Sequence, residues 1–130
     1  MGLDMYLDKR KKVVDEGIQN EWKEVMYWRK ANQVRAWFVS NIEEMTEDSD
    51  CEHFTVSKEL LEKLVADCKT VLEERDNAAA ILPTSSGFFF GSCNYDEWYY
   101  KDLEETIEGV QRVIDETDWE TEEVAYYDWW

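Results

Sequence analysis

At 130 residues the chain has the length of one domain, and 44% hydrophobic with 15% aromatic residues gives it ample core material, which excludes a disordered acidic tail. Fourteen Lys and Arg against 31 Asp and Glu leave a formal charge of −17, a field that repels phosphate backbones and argues against a direct grip on nucleic acid. No apolar run approaches the roughly 18 residues of a membrane span, and MGLDMYLDKRKK sets its charges after its apolar residues, the reverse of a secretory signal, so a cytoplasmic location is expected.

Residues 1–130 read as a single α+β domain with three main helices and a minor sheet formed by the terminal strands. Leu3, Met5 and Leu7 alternate with Asp4, Tyr6 and Asp8, the period of a half-buried strand, and the basic run Lys9 to Lys12 either extends it or begins a turn. From Ile18 to Ile42 apolar residues recur at threes and fours (Trp22, Val25, Met26, Ala31, Val34, Trp37, Phe38), which predicts a long first helix with Asn20 as a possible N-cap. Residues 43–53 are acidic and poor in apolar side chains. They read as a solvated loop, without the ligand spacing or central Gly of a calcium loop.

Ser57 then caps a second helix whose apolar stripe runs Leu60, Leu61, Leu64, Val65, Cys68, Val71 and Leu72. Ala78 to Leu82 adds a helical turn that Pro83 stops. Asn94 or Asp96 caps a third helix with Tyr99, Leu103, Ile107, Val110 and Ile114 inward, closed by Thr117 and Asp118, and Val124 to Trp129 form a last strand. The first and last strands are expected to pair, in either orientation, since each alone leaves a ladder of backbone groups unanswered. Cys51, Cys68 and Cys93 lack metal or disulfide spacing and read as three reduced thiols, so neither a metal site nor a cofactor is predicted.

Two segments invite a ligand reading. In Tyr27-Trp28-Arg29-Lys30-Ala31-Asn32, helical spacing places Arg29 near Asn32, a pairing suited to an anion or planar group, although Arg29 and Lys30 have abundant carboxylates to pair with. In Thr84 to Ser92, the hydroxyls of Thr84, Ser85 and Ser86 precede a Gly-flanked run of Phe, but the spacing is neither a P-loop nor a dinucleotide fingerprint. Catalysis finds less support. His53 is the sole His and has no nucleophile motif around it, so the chain is not expected to be an enzyme.

Charge is unevenly spread. Residues 1–40 carry eight cations against six acids, so nearly all the negative charge lies beyond them. On the third helix Asp102, Glu105 and Glu108 fall at helical spacing opposite Leu103 and Ile107. With Glu62 of the second helix they are the residues expected to meet a basic partner.

The segments MGLDMYL, YWRKAN followed by WF, PTSSGFFFGS and YDEWYYKDLEETIE, spread over most of the chain, resemble a family of small uncharacterised bacteriophage and prophage proteins. That resemblance implies a phage origin and hence a role in binding bacterial proteins, defence nucleases with basic DNA-binding surfaces among them. The leading expectation is therefore an acidic phage-encoded inhibitor of a CRISPR effector or restriction enzyme. The alternatives are a binder of a nucleotide or other anion, and a self-associating protein that forms homodimers through aromatics such as Trp129 and Trp130.

Overall fold

A computed structural model describes residues 2–12, 21–85 and 93–130, and their order is β1 (Asp4–Lys11), β2 (Lys23–Arg29), α1 (Asn32–Asn41), β3 (Phe54–Val56), α2 (Lys58–Glu73), a 3-10 turn (Arg75–Asn77), α3 (Ala78–Ile81), α4 (Glu97–Glu116) and β4 (Glu122–Trp129). The chain is an α+β domain. Among the described residues the strands form one antiparallel sheet in the order β2-β1-β4-β3, so the two terminal strands pair antiparallel and make its centre rather than the whole of it.

β1 and β4 are long because each alternates cleanly. Met5 and Leu7 lie opposite Asp128 and Tyr126, and these four, with Leu3 and Val124, are buried. The basic run extends β1 as far as Lys11, where Arg10 pairs with Glu123 and both Lys9 and Lys11 reach Glu122.

The long first helix expected over Ile18–Ile42 is corrected by the structure. Residues 13–20, with Asn20 and Ile18, lie outside the described residues; Lys23–Arg29 is a strand, and only Asn32–Asn41 is helical. Lys30 divides the two. Its φ of 56° lies in the left-handed region, which no helix interior tolerates. It is held there by its N–H donating to Leu3 and by its carbonyl accepting from Asn32.

α2 and α4 follow their apolar stripes. Ser57 Oγ accepts the Leu60 N–H at 3.0 Å, and the Asp96 carboxylate accepts from Trp98 and Tyr99, so each helix begins on a side-chain cap. The two helices pack on each other and on the sheet, with Leu61, Leu64, Val71, Leu103 and Val110 fully buried. α1 adds Phe38, stacked on Tyr126 with ring centroids 4.1 Å apart, and Trp28 of β2 donates from Nε1 to Thr106 of α4 at 2.8 Å. Cys51, Cys68 and Cys93 form no disulfide, and among the described residues no helix is long and apolar enough to cross a membrane.

Candidate functional site

The helices cover one side of the sheet. On the other, rings cross the strands in a continuous ladder: Tyr27 to Tyr6 at 5.3 Å, Tyr6 to Tyr127 at 5.9 Å, Tyr127 to His53 at 4.5 Å and His53 to Trp22 at 4.8 Å, with the Arg10 guanidinium 4.0 Å from the Trp22 ring. Sequence reasoning missed this face, because His53 and Trp22 join it from outside the strands. Its charges are closed within it. Asp4 accepts from Tyr27, Asp8 sits 2.7 Å from His53 Nε2, and Glu123 holds Arg10. Among the described residues the hydrogen-bond partner of His53 Nε2 is Asp8, at 2.7 Å.

The acidic residues predicted to meet a partner do not share one environment. Glu62, Glu105 and Glu108 are exposed, the last 3.7 Å from Arg112, whereas Asp102 is half-buried and accepts from Gln33 Nε2 at 3.3 Å. Burial pushes the Asp102 carboxyl up to about 6, against the opposing pull of the Gln33 bond. α4 carries seven carboxylates and two cations, and among the described residues Glu104 and Glu105 form no ion pair. α2, by contrast, is nearly balanced, with four acids and three lysines.

The residues of the ligand reading converge, but not all as ligands. Arg29, Lys30 and Asn32 line a cleft of about 350 Å³ with Gln33, Asp102 and the start of α4. Thr84 and Ser85 stand behind it. Asn32 Oδ1 accepts the Ser85 N–H at 3.0 Å, and Thr84 Oγ1 donates to the Cys93 carbonyl at 3.0 Å, so these groups hold the loop to the cleft wall. Ser86, with Gly87 and the Phe run, lies outside the described residues. Arg29 and Lys30 do not pair with carboxylates as their surroundings led us to expect; neither side chain forms an ion pair or hydrogen bond among the described residues.

Among the described residues no three His, Cys, Asp or Glu side chains gather as a metal site requires. Comparison of the chain with protein-family models, curated proteins and solved structures finds no match. The functional reading therefore rests on the geometry and on the resemblance noted from the sequence.

Proposed function

We propose that this chain is a phage-encoded acidic binding protein that occupies a basic surface of a host defence protein, of the CRISPR-effector or restriction-enzyme type. The observation that carries this reading is the outward side of α4. Among the described residues Glu104 and Glu105 stand exposed without an ion pair, and Glu108 has the solvated Arg112 beside it. Exposed carboxylates held on a rigid helix raise the encounter rate with a cationic groove and are not consumed by internal pairing. Glu62 on α2 is the outlying member of the surface, and Asp102 is not needed for it. The reading is one of binding without catalysis.

The test is a DNA-cleavage assay on a panel of purified CRISPR nucleases and restriction endonucleases, with the chain added at rising concentration. One nuclease is expected to lose cleavage near equimolar addition, and the Glu104→Lys, Glu105→Lys, Glu108→Lys triple variant to release it. No inhibition across the panel, or inhibition that survives in the triple variant, removes the reading.

A further inference from the structure

The face of the sheet turned away from the helices presents a second surface at the end where β1 begins. Residues directly opposite one another on antiparallel strands point to the same side. Arg29, Asp4 and Trp129 therefore form one row across β2, β1 and β4, and Tyr27, Tyr6 and Tyr127 form the next. Tyr27 is 44% exposed and Trp129 45%, with Tyr6 and Tyr127 half-buried beside them. Arg29 is exposed and forms no ion pair among the described residues, and Asp4 accepts from Tyr27 through Oδ1 alone.

Charge decides what this aromatic patch can meet. The chain carries −17, and its acidic surfaces, α4 above all, repel another copy. The patch is different, because Arg29 and Asp4 cancel within it. A basic surface meets the unpaired Arg29 there, and an acidic one meets Asp4. A second copy answers both charges at once: in a two-fold contact Arg29 of one copy reaches Asp4 of the other, and the reverse, so the patch is complementary to itself. Tyr and Trp side chains between those charges supply contact area of the kind that anchors interfaces. Three strands of seven or eight residues span only about 400 Å² of sheet plane, below the roughly 800 Å² per partner of a standard interface. Such a contact is weak and reversible, with a dissociation constant on the order of 10–100 µM.

We infer that two copies of this chain pair through the open sheet face, with Tyr27 and Trp129 at the contact and Arg29 and Asp4 exchanged across the two-fold axis. This goes beyond the proposed function and does not depend on it, since the helices lie on the far side of each sheet and both α4 surfaces stay outward. The two contacts respond to salt with opposite sign. Two chains of −17 repel at long range, so screening strengthens their pairing, whereas the encounter of α4 with a basic surface is weakened by the same screening.

The test is analytical ultracentrifugation of the full chain from about 5 to 500 µM, at about 20 mM and about 500 mM sodium chloride, which brackets the range over which screening changes most. A monomer–dimer equilibrium is expected, with a dissociation constant lower by about fivefold or more at the higher salt. The Tyr27→Lys, Trp129→Lys double variant is expected to dimerise about tenfold more weakly while keeping its thermal midpoint within about 5 °C, because both side chains are largely outside the core. Arg29→Glu and Asp4→Lys chains each lose self-association, since like charges then face each other, yet pair with one another when mixed, each supplying the charge the other lacks. The Glu104→Lys, Glu105→Lys, Glu108→Lys variant dimerises at least as well as the parent, which separates this inference from the proposed function. A monomer at every concentration and salt, association that weakens with salt, undiminished association in the Tyr27 and Trp129 variant, or no pairing in the mixture overturns it.

Discussion

A guanidinium with 2% exposure needs its N–H groups answered, and Arg35 draws its answers from across the sequence: Asp128 at 3.0 Å, and the carbonyls of Glu47 and Ser49 at 2.9 Å each. It staples the acidic loop to the end of β4. Burial raises the Asp128 carboxyl while Tyr126 and Arg35 pull it down, so this pair is held by full satisfaction and not by charge alone. Asp128→Asn leaves a buried cation without its anion and is expected to cost about 3–5 kcal/mol in chemical denaturation. A loss under about 1 kcal/mol shows the pair to be solvated. Asp102 works in the opposite sense. Its folded-state value, about 6, lies above its ordinary 3.8, so the folded chain holds a proton that the unfolded chain has lost between those pH values. Its contribution is intact below the lower value and is lost as pH rises through the upper one. Asp102→Asn should therefore match the parent near pH 3.5 and exceed it at pH 7.5 by about 1 kcal/mol, a figure reduced for partial exposure. Equal stability at both pH values sinks that assignment. A sequence marks Arg35 only as a cation on an apolar stripe; it cannot reveal that the counter-ion lies 93 residues away.

Elements were legible where one periodicity ruled. α2 and α4 follow their stripes because a cap, an unbroken 3.6 period and a polar outer face agree, and β1 and β4 follow theirs because alternation there is clean. β2 was hidden for two physical reasons. Between Leu7 and Asp8 the register shifts, Met26 opposing Leu7 and Glu24 opposing Asp8, so Val25 is an extra residue that breaks the period of two. As an edge strand, β2 also buries only Trp28 fully, and its half-buried Val25 and Met26 fall by chance at helical spacing from Trp22. The candidate cleft inherits this error. Helical spacing makes Arg29, Lys30 and Asn32 neighbours on one helix, yet a strand end, a left-handed residue and a helix start bring them together, and Gln33 carries no sequence signal because its partners lie on α4. The clearest element offers the firmest test. Leu64 is wholly buried on α2, and Leu64→Ala should lower stability by about 2–5 kcal/mol, whereas a loss below about 0.5 kcal/mol contradicts the helix phase.

At the scale of the molecule, the fold separates its charges. Of the cations of the first 40 residues, Arg10, Lys9 and Lys11 hold the acids that begin β4 and Arg35 is buried against Asp128, while the carboxylates of α4 project from the helical side with two cations among seven acids. Under the proposed function, that asymmetry would orient an approaching basic surface toward α4 before contact. Glu105 and Glu108 are exposed on a helix whose buried residues lie on its other side, so reversing both to Lys should change unfolding free energy by less than about 1 kcal/mol. The same change removes two negative charges and adds two positive ones at the site of approach. Its expected effect is therefore kinetic: slower association with a basic partner at low salt and a flatter dependence of that rate on ionic strength, with dissociation little altered, as for charges at an interface rim. Stopped-flow association with a nuclease identified by the cleavage panel, run across a salt series for parent and double variant, measures this directly. An unchanged association rate at low salt excludes the α4 face as the leading surface and leaves the aromatic ladder, whose charges are internally paired, as the side of the sheet through which a partner is met.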